Sequence, residues 1–372
     1  MHFRDSGLPA GVEPGMQRLT AAVLGALLLA SCSGSGGLAG PSPGQGTNAA
    51  SPSVAPLAVT RQWKLGPVAD IAVGPQAVYV LYAPPTSEGA LANATDTRLA
   101  RIDRISGRVL TAGPFPFASQ IALAGSVVWI GPYNQYPGTS SADSRMLVGV
   151  DAVTLATQLR AALPSDGAQR SLVANLASDS GSAWVAYGTH LYRLAASSGV
   201  TLASRSLVGV ATSIALDPTG QRLYVGMDAA QANVSEASVA EFVPATLKPL
   251  VAASTGGADV GGPQVAAGTD DVWVSYATGM LGQVEHRRAS DLASLPVAAA
   301  VHSNGVRVFD ISGMVWVSDT MAGLLMCLDP HTGAVLAARS ALQGGVVAGD
   351  DSSLYFGDIN GVASVQPDSR CH

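Results

Sequence analysis

Seven positions in this chain share one spacing and, with one exception, one chemistry. Nine residues ahead of an aromatic stand Asp70, Gln120, Asn175, Gln264, Arg307 and Val346; Ser213, ahead of Tyr224 by a turn two residues longer, is the seventh. All but Val346 are polar, and the segments that carry them are otherwise apolar. Side chains of this kind can satisfy backbone groups and ordered water at strand ends. They can also present hydrogen-bonding groups to a ligand. In that case a zwitterionic or anionic molecule would meet Arg307 through a bidentate contact, with Asp70 orienting a donor.

The aromatics that set this register belong to one recurring triplet. It reads Val78-Tyr79-Val80, Val128-Trp129-Ile130, Ala183-Trp184-Val185, Leu223-Tyr224-Val225, Val272-Trp273-Val274, Val315-Trp316-Val317 and Leu354-Tyr355-Phe356. The intervals between aromatics run from 39 to 55 residues, a repeat period. Each unit reads as strand, turn, strand, variable loop, strand, tight turn, strand. A single four-stranded sheet cannot bury both faces, but sheets packed radially cover one another. The expected fold is therefore all-β, a seven-bladed β-propeller with four antiparallel strands per blade. The aliphatics of each triplet would face one neighbouring blade and the aromatic the other. The seventh unit lacks a fourth strand, and residues 59–65 are expected to supply it, leaving no open edge. The seven spaced residues then form a ring at the mouth of the central channel.

The turns "LDPTGQRLYVG" and "LDPHTGAVLAARS" resemble the YVTN, NHL and quinoprotein-like repeats of bacterial propellers. The resemblance spans residues 59–367 and implies the same fold. Quinoprotein-like repeats carry a tryptophan after the Gly-x-Val turn, where this sequence has Leu336-Ala337; no quinone cofactor is therefore expected. The connections between second and third strands are long in blades one, two and four. Tyr133 and Tyr136 lie in one of them, a place where binding often resides. No histidine pair has zinc spacing, and no nucleophile elbow or phosphate loop follows a strand. Propeller lyases and lactonases, such as virginiamycin B lyase and the gluconolactonase group, use a divalent metal or a His/Glu cluster in the channel. Asp70, Asn175 and His302 would supply part of such a set, which keeps a metal-dependent lyase or lactonase as the alternative to a binding module.

The N-terminus gives an address. Arg18 precedes an apolar run from Leu19 to Ala30, too short for a membrane span and suited to a signal peptide. It ends in Leu29-Ala30-Ser31-Cys32, which resembles the lipobox of bacterial lipoproteins, with Cys32 as the lipidated residue. Translation can begin at Met1 or Met16. Residues 1–31 then form the signal peptide, 32–58 the lipidated cysteine and a Gly/Ser/Pro tether, and 59–372 a single domain. A net charge of −6 argues against nucleic acid. The expected partners are the membrane, through the lipid, and a small solute, a glycan or an envelope protein. The chain reads as an anchored extracytoplasmic binding or scaffolding module. An exported chain meets oxidising conditions. Cys327 and Cys371 leave neighbouring blades on one face and could bond, or Cys327 could remain a buried free thiol beside a loose tail.

Overall fold

The computed structural model describes residues 54–56, 58–85, 96–134, 145–163, 172–229, 237–255, 260–278, 281–297, 306–319, 322–340 and 345–371. Cys32, Tyr136 and His302 lie outside the described residues. The described chain is all-β: seven sheets of at least four antiparallel strands, in sequence order.

Blade one comprises Val68–Val73, Ala77–Tyr82, Arg98–Asp103 and Val109–Ala112. Blade two comprises Ala118–Ala124, Val127–Asn134, Met146–Asp151 and Thr157–Ala162. Blade three is Asn175–Ser178, Ser182–Tyr187, His190–Ala195 and Thr201–Ser206. Blade four is Gly209–Leu216, Leu223–Ala229, Ser238–Val243 and Lys248–Ser254. Blade five is Val260–Ala267, Asp271–Thr278, Leu281–Arg288 and Ser294–Leu295. Blade six is Val306–Ile311, Met314–Asp319, Leu324–Leu328 and Val335–Ser340. Blade seven takes Val346–Asp350, Ser353–Gly357 and Val362–Gln366 from the C-terminus and Ala58–Trp63 from the N-terminus. The first strand of each blade lines the channel and contacts its counterparts in both neighbours, including blade seven against blade one.

The triplets explain why the blades associate. Side chains alternate along a strand, so the aromatic and its flanking aliphatics leave opposite faces. Trp129 packs with Ala183, Val185 and Tyr187 of blade three, while Val128 and Ile130 pack with Tyr79 and Leu81 of blade one. Trp184 repeats the pattern against Leu223 and Val225 of blade four. Trp129, Trp184 and Trp273 are among the largest fully buried side chains, and each removes about 150–250 Å² from water.

The two ends of the described chain, residues 54–63 and 362–371, meet at blades six and seven. Ala58–Trp63 pairs antiparallel with Val362–Gln366 and completes blade seven. Just before it, Val54–Pro56 adds a fifth strand to blade six, parallel to Val335–Ser340. Strand pairing therefore includes residues inside the segment expected to be tether, because the outer edge of blade six offers unpaired backbone groups that residues 54–56 take up. At the other end, Cys371 lies in disulfide contact with Cys327 of blade six, Cα–Cα 6.2 Å. Asp368 pairs with Arg339 of blade six and with Arg370. Across the next seam, Arg104 of blade one binds Asp350 and Ser352 of blade seven.

Candidate functional site at the channel mouth

In an antiparallel ladder, cross-strand residue pairs alternate between hydrogen-bonded and non-hydrogen-bonded. The innermost strand has a partner on one side only. At its non-hydrogen-bonded positions the N–H points into the channel and needs another acceptor. One such position directly follows each ring residue: Ile71, Ile121, Leu176, Ile214, Val265, Val308 and Val347. All seven pair with the residue after the triplet aromatic, as Ile71 does with Val80 and Val308 with Val317.

The ring side chains answer this need across the seams. Asp70 of blade one accepts from Ile121 N of blade two at 2.8 Å. Gln120 of blade two accepts from Leu176 N of blade three at 3.2 Å and donates to Asn175 Oδ1. Ser213 of blade four accepts from Val265 N of blade five at 3.1 Å and donates to Pro263 O. Asn175 also bonds forward, but as a donor, to Ala211 O of blade four. Gln264 alone reaches back, donating to Thr212 O of blade four at 3.0 Å, and Thr212 in turn donates to Pro263 O. Five of the seven ring positions thus form a belt that stitches blades one to five together.

Asp70 does double service. Val346, the ring residue of blade seven, has no acceptor to offer Ile71 N of blade one. Asp70 covers that amide with its own Oδ1, at 2.9 Å. Burial pushes the Asp70 carboxyl up to about 6; the two amide bonds and the nearby charge of Arg307 oppose that shift.

The belt is open between blades five and one. Arg307 is exposed, and its guanidinium makes no hydrogen bond or ion pair among the described residues. Val346 is buried and apolar. A cavity of about 290 Å³ lies further along the inner strands; its lining includes Leu216, Ala267, Val308, Ile311, Val347 and Gly349 and none of the ring residues. Tyr133, next to last in the second strand of blade two, lies on the same face, half-buried; its backbone N–H bonds Phe117 O. Tyr136 and His302, expected beside the mouth, are outside the described residues.

A second polar group escaped the sequence reading. His286 of blade five is buried, stacks on Trp273 with ring centroids 4.3 Å apart, and binds Asp271 through Nε2 at 2.9 Å. Its Nδ1 is buried without a partner. Asp310 of blade six lies near Asp271. Burial, seconded by that carboxylate's charge, raises its pKa to about 6, against a hydrogen bond from Gly313 N. Register supplies the only signal for this group: His286 sits directly across from Trp273. Among the described residues, no three His, Cys, Asp or Glu side chains gather as a metal site.

No protein-family model matches the chain, and no curated protein sequence is similar to it. Solved structures share its shape. A computationally designed protein, Ika8, superposes with a TM-score of 0.54 at 12% identity, over 84% of this chain and 100% of that one. BamB from Moraxella catarrhalis gives 0.52 at 13% identity, over 80% of this chain and 84% of its own. The WD40 domain of Neurospora crassa Pan2 gives 0.55 at 10% identity, over 82% and 90% of the two chains. At these identities the likeness is one of fold, and the fold it supports is the β-propeller.

Proposed function

We propose that this protein is a membrane-anchored, extracytoplasmic binding module whose ligand or partner docks at the channel mouth on the face bearing Arg307. The observation that carries this reading is the exposed guanidinium of Arg307, without a hydrogen bond or ion pair among the described residues, in a ring whose other polar members each bond a neighbouring blade. An exposed guanidinium, with its fixed fork of donors, is a recognition group for planar anions. The hydrogen bonds that tie ring residues to neighbouring blades suit a preformed site. Anchoring follows from Leu29 to Cys32: two or more acyl chains on Cys32 would hold the module stably at the bilayer, with a small solute, a glycan or an envelope protein as the thing bound.

Two measurements test this. Palmitate labelling of the full chain is expected to be lost in Cys32→Ser; a mature protein unmodified at residue 32 removes the anchor. A thermal-shift screen of solutes and oligosaccharides is expected to yield ligands whose stabilisation depends on the mouth. Ligands that stabilise wild type and Arg307→Ala equally would move binding to another surface.

A further inference from the structure

The belt has a rule, and blades four, six and seven break it; at blade four Asn175 donates to Ala211 O and leaves Ile214 N without a described side-chain acceptor, while blades six and seven break it side by side. Where the rule holds, an inward-facing amide on one blade is covered by an oxygen from the blade before. Ile121, Leu176 and Val265 are covered in this way, and Ile71 is covered by Asp70. Val308 of blade six should receive Gln264, but that side chain donates to Thr212 instead. Val347 of blade seven should receive Arg307, and a guanidinium has no acceptor. No described side chain accepts from Val308 N or Val347 N. Both belong to non-hydrogen-bonded pairs, with Val317 and Phe356. Both line the 290 Å³ cavity.

Two amides and one guanidinium, all donors, therefore lie on the adjacent blades six and seven. The structure elsewhere shows what fits there, because at blade one a carboxylate holds two such amides at once. We infer that the sector between blades five and seven is an oxyanion site, taking a carboxylate that lies between Val308 N, Val347 N and the Arg307 guanidinium. The bound group would supply from outside the acceptor that the belt supplies from within. Val346, with no polar group, leaves room on the blade-seven side and no competing acceptor. The carboxylate can belong to a free organic acid or to the C-terminus of a peptide. This inference rests on the channel-mouth reading above and narrows it to one ligand chemistry.

The test uses the full chain in detergent at low salt and neutral pH. Calorimetric titrations would employ acetate, succinate and an N-acetylated tripeptide with either a free or an amidated C-terminus. Binding of the acids is expected. Retention by the free tripeptide with loss on amidation identifies the peptide source; binding of succinate and acetate alone identifies the free acid. Arg307→Gln is expected to weaken binding at least tenfold, the scale of one charge-assisted hydrogen bond. Arg307→Asp carries its own carboxylate to Val347 N. It is expected to abolish binding while raising the melting temperature of the ligand-free protein. Carboxylates that fail to bind wild type, or bind Arg307→Asp as well as wild type, overturn the oxyanion site. Neutral or cationic ligands from the screen that still need the mouth would leave the broader binding reading standing.

Discussion

Blades one to five and blades six to seven close the same circle by different means. In the first group the seams are stitched at the channel: Asp70, Gln120, Asn175, Ser213 and Gln264 each bond a neighbouring blade. In the second group the ring residues make no such bond among the described residues; Ser275 of blade five donates to Val306 O of blade six, and further ties lie away from the ring. They are the Cys327–Cys371 contact, the Arg339–Asp368 pair, the extra strand Val54–Pro56 and the bonds from Arg104 to Asp350. A propeller must hold every seam, but the location of each hold decides what the channel can do. Inner polar groups spent on stitching are unavailable to a ligand. Moving the ties outward on blades six and seven frees donors inside.

Breaking the outer clamp is the strongest test of that contrast. Cys327 and Cys371 are separated by 44 residues, and closing a loop of that size stabilises by about 4 kcal/mol in the chain-entropy model. Cys371→Ser is expected to lose most of that amount. The loss should also be local: hydrogen exchange should rise first in Val346–Asp350 and Val306–Ile311, while Asn175–Ser178 stays protected. Thiol titration of the denatured, unreduced protein is expected to find neither cysteine free. Two free thiols, or exchange that rises evenly around the ring, would mean the clamp does not hold this seam.

The repeat was legible in the sequence because triplet aromatics must recur wherever blades pack, and a closing strand must come from somewhere. The ring was legible as a set of residue types. Its use was not, because an amide at Ile121 and a carboxylate at Asp70 meet only after two strands are staggered across a seam. Nothing in the letters of Val308 or Val347 marks an uncovered N–H; that follows from register. Gln264 shows the limit most clearly. By type it resembles Gln120, yet it bonds backward, because Thr212 O of blade four accepts its amide. Residues 54–56 were read as tether for a related reason: their composition is that of a spacer, and the edge that orders them lies almost three hundred residues further along the chain.

Two carboxyls with the same raised pKa sharpen the difference between a stitched seam and an open one. Asp70 and Asp310 both have pKa values near 6, against an ordinary 3.8. A carboxyl raised by folding binds its proton more tightly in the native state. Its stabilising contribution is complete below about pH 4 and is lost as the pH climbs through 6. Asp310→Asn removes that loss. It keeps an acceptor for Gly313 N and offers Asp271 a donor in place of a second negative charge. It is expected to be more stable than wild type at pH 7 by about 1–3 kcal/mol, with the two converging near pH 4. Asp70→Asn should gain nothing comparable, because its carboxamide would turn an N–H toward Ile71 N or Ile121 N. Denaturant melts of both variants at pH 4, 5.5 and 7 check this. Equal stabilisation by the two substitutions would mean that Asp70 is not a stitch.

The smallest expected effect separates two kinds of seam within the stitched half. Trp184 of blade three reaches blade four, and its indole donates to Pro244 O at 2.9 Å. The turn it meets carries Leu247, fully buried at a φ of 57°. Tyr79 and Tyr224 make the same kind of contact, to Ala152 O and Ala289 O, and there the turns carry Leu155 and Leu292, also at positive φ. Trp129 differs. The turn it meets in blade three has Gly199 at a φ of 68°, and a Cβ there would lie 3.1 Å from the indole Cη2. The ring occupies the space that leucine fills elsewhere, and its Nε1 is left buried without a partner. Replacement by phenylalanine removes similar apolar area from both sites but changes the polar balance in opposite directions. Trp184→Phe strands Pro244 O, whereas Trp129→Phe removes an orphaned donor. Trp184→Phe is therefore expected to be the more destabilising of the two by about 1–2 kcal/mol. Urea melts of the two single variants measure it, and equal losses would show that apolar burial alone governs these seams.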